Sequence, residues 1–286
     1  MRWLLTGNKG MLGVDLTNAL VARGHEVVGV DVDELDITDS TAVAAYLDGR
    51  ARFDVVVNCA AWTAVDAAES HEADAQRINE AGPFILASWA KQTGARIVQI
   101  STDYVFDGTA TTPYAEDAPA APVSVYGRTK WGGEQAVRSQ HPAGHLVVRT
   151  AWLYGAHGKC FPKTIARLAA EKGALSVVDD QVGQPTWTVD LARVVIDLIE
   201  TDAPAGTYHA TSSGQTSWCG FARAIVAAAG MDPAIVTATD SAAFVTPAPR
   251  PAYSVLGHAA TTAAGVAEIP DWAERWAEAA PGVLSG

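Results

Sequence analysis

Basic residues and cysteines are scarce in this chain, and long apolar runs are missing. Only 20 Lys and Arg stand against 32 Asp and Glu, a formal net charge of −12 at pH 7. A surface of that sign repels polyanions, which excludes non-specific nucleic-acid binding as a function class. An anionic small ligand then needs a local basic pocket or a cradle of backbone N–H groups. The three cysteines, Cys59, Cys160 and Cys219, are too widely spaced for a disulfide framework or a zinc pattern. They are expected to be reduced thiols of a cytoplasmic protein. No run of 18 apolar residues occurs, so no membrane span is expected. The opening "MRWLLTGNKG" reaches its glycines too soon to contain a signal-peptide apolar region.

What the chain does contain is 49% hydrophobic residues over 286 positions, enough for one large domain with a smaller companion. Apolar, β-branched segments at 2–6, 26–31, 54–60, 96–102 and 146–152, with weaker ones at 175–179 and 207–211, read as strands. Between them, 11–23, 40–48, 70–92, 126–139, 160–172 and 188–200 carry helical period. The alternation predicts an α/β fold, a doubly wound parallel Rossmann sheet over 1–152 completed by 175–211. After 212 the pattern changes. Helices at 217–229 and 271–280 flank the Pro-rich "FVTPAPRPAYSVLG". With 153–174, residues 212–286 are expected to form a smaller, mostly helical substrate-binding domain.

"LLTGNKGMLGVDL" follows the first strand and opens the first helix. Gly7 permits a tight turn, Gly10 lets the backbone approach a pyrophosphate, and Gly13 lets helix and strand pack closely. The helix N-terminus supplies N–H groups and positive dipole to phosphates. The spacing G-x-x-G-x-x-G is one residue longer than the usual dinucleotide fingerprint, but strand, helix and a following acid give the right context. That acid, Asp31, suits the ribose hydroxyls of NADH; Lys9 in the loop offsets its charge and admits NADPH. In "ELDITD", Asp36 and Ile37 are placed at the edge of an adenine pocket, while Asp39 and Ser40 suit helix capping. Ala60 and Ala61 are small where a cofactor crosses the strand ends, with Trp62 and Thr63 at the mouth.

In "VYGRTKWGGEQ", Tyr126 and Lys130 are four residues apart and share a helix face. An ammonium about 4 Å from a phenolate, at an effective dielectric near 20, is worth roughly 4 kcal/mol. At 1.36 kcal/mol per unit, that lowers a tyrosine pKa by up to about 3 units before desolvation opposes it. Such a tyrosine suits proton donation to a carbonyl oxygen. Thr102 ends the fourth strand and adds a hydroxyl at the carboxyl edge, where ligands bind in open α/β sheets. Gly132 and Gly133 point to close packing of this helix.

The motifs "TGNKGMLG", "ISTDYVFDG", "VYGRTK", "VVDDQVGQPTWTVDLA" and "RPAYSVLG" together resemble the extended short-chain dehydrogenase/reductase family, and within it the dTDP-4-dehydrorhamnose reductases. The resemblance covers nearly the whole chain. It implies reduction of the C4 ketone of a dTDP-4-keto-6-deoxysugar, giving dTDP-L-rhamnose, with NADPH or NADH. It implies that Thr102, Tyr126 and Lys130 are catalytic. It implies a cofactor site including Gly7, Asn8, Lys9, Gly10, Met11, Leu12, Gly13 and Asn79. Thr63, Asp103, Tyr104, Val105, Trp152, Gln184, Pro185 and Thr186 are implied on the sugar side. Lys159, Lys163, Phe161 and Arg250 are candidates for the diphosphate and thymidine. Cys160 stands where the family usually has asparagine, and Tyr253 and Gly257 where many members have Asn and Asp. Some members pair through a metal; Asp15 and Asp190 are the only hints of that here, and no metal is expected. The protein is expected to be a monomer or homodimer.

Two other readings stay open. One is a 4,6-dehydratase or C4-epimerase on the same fold. Dehydratases need a glutamate after the Thr-Asp pair, where this chain has Tyr104. The other is a non-catalytic subunit, like the regulatory partner of methionine adenosyltransferase, which the intact Tyr126–Lys130 pair disfavours.

Overall fold

The structure, a computed structural model, describes residues 1–50 and 52–285. Five of the expected strands form a parallel sheet: β1 Arg2–Thr6, β2 Glu26–Val30, β3 Val55–Asn58, β4 Arg96–Thr102 and β5 His145–Thr150. A sixth, Gly206–His209, pairs with β5. The order is β2-β1-β3-β4-β5 and then that strand. Every residue of β3 and β5 is buried, as near-continuous apolar strands require when helices cover both faces.

Alternation divides the core. Leu4, Val56, Ile97 and Val147 pack with Val43, Leu86, Trp89 and Val137 on one face, against helices Ser40–Asp48, Gly82–Thr93 and Val125–Gln140. Trp3, Leu5, Val57, Val98 and Val148 pack on the other with Leu16, Leu20, Leu191 and Val195, from helices Met11–Ala22 and Thr188–Glu200. A separate apolar cluster around Tyr154, Phe221 and Trp276 joins helices Phe161–Lys172, Trp218–Ala228 and Trp272–Leu284.

Two expectations change. The strand at 175–179 forms over Leu175–Val178, but outside the main sheet; it pairs with Val236–Thr239. Only Val177 of its four residues is buried, and a strand so exposed does not belong in a sheet covered on both sides. The sheet is completed by the helix at 188–200 and the strand at 206–209 alone. The helix expected over 70–92 is interrupted: Glu72–Gln76 passes into a π turn, Arg77–Ala81, before Gly82–Thr93. Such turns concentrate at functional sites, and this one carries Asn79.

Candidate active site

The chain reverses its direction of travel across the sheet between β1 and β3, which opens a crevice beyond their carboxyl ends. Register places Thr6 beside Asn58 and Asn58 beside Gln99. The Thr6 hydroxyl donates to Asn58 Oδ1 at 2.6 Å, and Asn58 Nδ2 donates to Gln99 Oε1 at 2.8 Å. Gln99 Nε2 continues to the Ile100 carbonyl at 2.9 Å. That carbonyl also accepts from Lys130 Nζ at 2.6 Å. A buried polar chain therefore runs under the crevice from the glycine loop to Lys130. Sequence reasoning missed Asn58 and Gln99; their signal is an amide in each of two otherwise apolar strands.

Gly7 has φ +68°, and a Cβ there would stand 2.7 Å from the Ala60 nitrogen. A Cβ on Gly13 would overlap the Gly7 carbonyl. Gly10 caps the first helix with no side-chain bond, and no acid lies in its first turn. The N–H groups there are left to an anion, as a dinucleotide pyrophosphate requires. Asn8 crosses Gly29 with a buried Oδ1 that lacks a partner. Met11 is half-buried and Leu12 buried. Asp31 accepts from Lys9 N at 3.2 Å and Val32 N at 2.8 Å. The Lys9 ammonium is held by Glu34 at 2.8 Å and Asp33 at 3.2 Å, so it is not a free counter-charge to Asp31. Asp36 accepts from Thr38 N and Oγ1 at 2.9 and 2.7 Å, and Ile37 is buried against Gly82. Asp39 caps the next helix through Thr41 N and Ala42 N.

Ala60 and Ala61 are half-buried beyond β3, and Trp62 follows with its backbone clamped. Trp62 N donates to Asn79 Oδ1 at 2.8 Å, while Asn79 Nδ2 donates to the Trp62 carbonyl at 3.1 Å and Thr129 Oγ1 at 3.0 Å. Asn79 thus ties the crevice wall to the Tyr126 helix.

That helix starts where Ser124 Oγ accepts from Gly127 N at 3.1 Å. The Tyr126 ring is half-buried and meets Tyr104 edge-on at 5.5 Å. Burial pushes the phenol up to about 12, with the nearby Thr102 hydroxyl pulling the other way. The expectation that Lys130 makes this phenol acidic does not hold here. Lys130 spends its ammonium on the Ile100 carbonyl, and its own burial pulls it down to about 8; desolvation outweighs attraction. A phenol that keeps its proton through neutral pH is still the form a proton donor needs. Thr102 Oγ1 lies 2.9 Å from Asp103 Oδ1 and accepts from Tyr104 N at 3.2 Å. Asp103 is buried, which raises its carboxyl to about 6.

Next to these, Thr63 is exposed and Tyr104 half-buried. Val105 is wholly buried with Phe106 and Leu256, facing the core instead of the crevice. Trp152 has φ +47°, stacks on Trp218 at 3.5 Å, and fits only because Gly183 leaves room for its ring. Gln184 and Thr186 are buried and committed to bracing. Gln184 Oε1 accepts from Thr211 Oγ1 and Leu256 N, both at 2.8 Å, and Thr186 Oγ1 accepts from Ser212 N at 3.3 Å. Pro185 between them is buried too. Phe161 packs on Trp218 at 4.5 Å. Lys163 Nζ donates to the Ala156 carbonyl at 2.7 Å, and Lys159 is exposed. Arg250 pairs with Asp66 through bonds of 3.0 and 2.9 Å.

A family model described as "RmlD substrate binding domain" matches residues 1–283. The chain belongs to this family. It is 47% identical to a dTDP-4-dehydrorhamnose reductase of Streptomyces griseus, over 98% of this chain and 93% of that protein. It is 46% identical to a probable dTDP-4,6-dihydroxy-2-methyloxan-3-one 4-ketoreductase of Streptomyces antibioticus, over 100% and 96% respectively. Among solved structures, a dTDP-4-dehydrorhamnose reductase of Bacillus anthracis in complex with NADP superposes with a TM-score of 0.92 at 36% identity, covering 97% of this chain and 98% of that one.

The positions expected to differ from the family's usual residues are each tied into the fold. Cys160 begins the helix at 161 without capping it; its thiol instead approaches the Gly155 carbonyl at 3.7 Å. Tyr253 reaches Gln215 through its hydroxyl at 3.2 Å, and Gly257 N donates to the Tyr114 carbonyl at 2.8 Å. Asp15 accepts from Thr188 Oγ1 at 2.5 Å, and Asp190 pairs with Arg275 at 2.8 Å. Both acids have partners within the chain. No cluster of metal-ligating side chains occurs among the described residues, and no helix is long and apolar enough to cross a membrane among them.

Proposed function

We propose that this chain reduces the C4 ketone of dTDP-4-dehydro-L-rhamnose, or of a close dTDP-4-keto-6-deoxysugar, using NADPH or NADH. One observation carries the reading: Thr102, at the carboxyl end of β4, and Tyr126, one helical turn before Lys130, both contact the Asp103–Tyr104 turn. The names of full-length relatives near half identity point the same way. The uncapped helix at Gly10 and the Gly7 turn fit a dinucleotide, held there with Asp31 at the ribose and Lys130 near the nicotinamide end. When bound, the reduced cofactor supplies the hydride. Tyr126 gives its proton to the alkoxide that forms at C4, and Thr102 orients that oxygen. Lys130 holds positive charge below the crevice, where it favours the developing negative oxygen. Tyr104 and Trp152 flank the sugar, and Arg250 and Lys163 are the cations nearest in kind to what a diphosphate needs.

Tyr104 in place of a glutamate removes the base that water elimination needs, which argues against a dehydratase. We place the protein in the cytoplasm, as a monomer or homodimer, with residues 1–152 and 188–211 serving the cofactor and the remainder the sugar. The test is to supply dTDP-4-dehydro-L-rhamnose, follow NADH and NADPH absorbance separately, and identify the product sugar. A dTDP-L-rhamnose product supports the reading. Tightly retained NAD with interconversion of C4 epimers replaces it with an epimerase, and no reaction with either cofactor leaves a binding subunit.

A further inference from the structure

Asp103 is the group the mechanism above does not use. Its side chain is 2% exposed, and its Oδ2 is buried without a hydrogen-bond partner. The Ser254 hydroxyl lies near enough to favour the ionised form, yet does not meet Oδ2 in a well-formed bond. Oδ1 lies 2.9 Å from Thr102 Oγ1. A hydroxyl has one proton and two lone pairs, and a carboxylate can only accept. If Asp103 is ionised, the single Thr102 proton is drawn to it, and nothing remains to orient a ketone oxygen. If Asp103 is neutral, it donates to Thr102. The Thr102 lone pairs then take Asp103 and Tyr104 N, and its proton is free to point at Tyr126 or at substrate.

We infer that Asp103 is a positioning residue: carrying a proton, it donates to the Thr102 hydroxyl and so directs that hydroxyl's own proton toward the C4 oxygen. This rests on the reductase reading and goes beyond it. Burial favours the neutral acid, lifting Asp103 to about 6 in the free protein. Substrate removes more solvent and brings a diphosphate, both of which raise it further. The ionisable groups around it are Tyr126 on the 125–140 helix, Tyr104 on its own turn, and Arg250 with Asp66 beyond Tyr104. Among the described residues none of them forms an ion pair with Asp103.

Infrared difference spectra of the free protein test the protonation without substrate. A protonated-carboxyl band should be present at pH 5, fade by pH 8 and be missing from Asp103→Asn. Failure to find it overturns the assignment whatever the protein reduces. In turnover, the wild-type rate should fall about tenfold per pH unit above the Asp103 value in the complex. Asp103→Asn, whose amide still donates, should keep kcat within about tenfold and lose that alkaline limb. Asp103→Leu should lose about a hundredfold or more while cofactor affinity and the circular-dichroism spectrum stay unchanged. An Asp103→Asn protein that keeps the limb, or falls as far as Asp103→Leu, overturns the inference. Ketosugar reduction by the wild type separates this outcome from failure of the functional reading.

Discussion

Gly133 lies directly against the Asn79 backbone carbonyl, with no room between them for a side chain. A β-carbon there would overlap the carbonyl oxygen, and that oxygen belongs to the π turn whose side chain clamps Trp62 and Thr129. Gly132, one residue earlier, differs. Its Cβ would meet only the Glu80 carboxylate, at 2.6 Å, the far end of a side chain that can swing away. Gly133→Ala is therefore expected to cost about 1–3 kcal/mol of stability from overpacking and to lower turnover by displacing Lys130. Gly132→Ala is expected to be neutral or stabilising by up to about 1 kcal/mol through helix propensity. Urea midpoints of the two variants check the contrast; equal effects refute it.

Tyr126→Phe should retain cofactor binding and lose about 10²–10⁴ in turnover, the usual worth of a placed proton donor. Since burial holds the phenol at about 12, the wild-type rate should show no loss between pH 6 and 9 that disappears in Tyr126→Phe. Cofactor titration by fluorescence quenching, alongside ketosugar-dependent oxidation, measures both halves. Wild-type turnover in the phenylalanine variant would remove Tyr126 from the chemistry.

The sheet was legible because its strands are apolar runs between helical periods, a signal that survives any tertiary detail. The glycine loop was legible because its geometry admits few residues. What sequence hid were contacts between distant segments. The 175–178 strand looked like part of the sheet, and only its pairing with 236–239 shows otherwise. Ile37, Val105 and Gln184 have the right neighbours in sequence for a site, and those neighbours gave no sign of how fully each is buried. The Tyr126–Lys130 spacing was read correctly as one helix face, yet the electrostatic sign at Tyr126 depended on how much water burial removes. Spacing carries no information on that. The chain Thr6–Asn58–Gln99 required knowing which strands are neighbours.

The carboxylate of Glu134 and the guanidinium of Arg149 form a two-bond pair, each bond 2.8 Å, at 0% and 1% exposure. Ser101 and Arg138 also donate to this carboxylate, at 2.6 and 3.0 Å. The pair fixes the Lys130 helix to β4 and β5. Removing one partner leaves a buried charge, so Arg149→Met should cost about 3–5 kcal/mol. Changing both, Glu134→Leu with Arg149→Met, should return stability to within about 2 kcal/mol of wild type. A double-mutant cycle in urea decides it; a double variant less stable than either single one contradicts the argument.

His209 sets an acid limit on the fold. Its Nδ1 donates to the Gly257 carbonyl at 2.8 Å, so Nε2, 3.4 Å from Arg149 Nη1, is the acceptor of a neutral ring. Burial, and then the Arg149 charge, press its pKa down to about 3. Between that value and about 6.5 the unfolded chain binds a proton that the folded one refuses, so stability falls as pH falls through this window. From neutral pH to pH 5 the loss is about 2 kcal/mol for this one group. Asp103 acts with the opposite sign. Its folded value is raised to about 6, so its contribution is present at low pH and lost as pH rises. The net slope of the wild type therefore mixes the two, and the informative quantity is the difference from His209→Asn. That variant keeps a donor for Gly257 and has no ring to protonate, so it should be less stable than wild type at pH 7.5 and draw level with it toward pH 5. Melting temperatures measured at both pH values check this, and parallel curves would show that His209 does not carry the acid sensitivity.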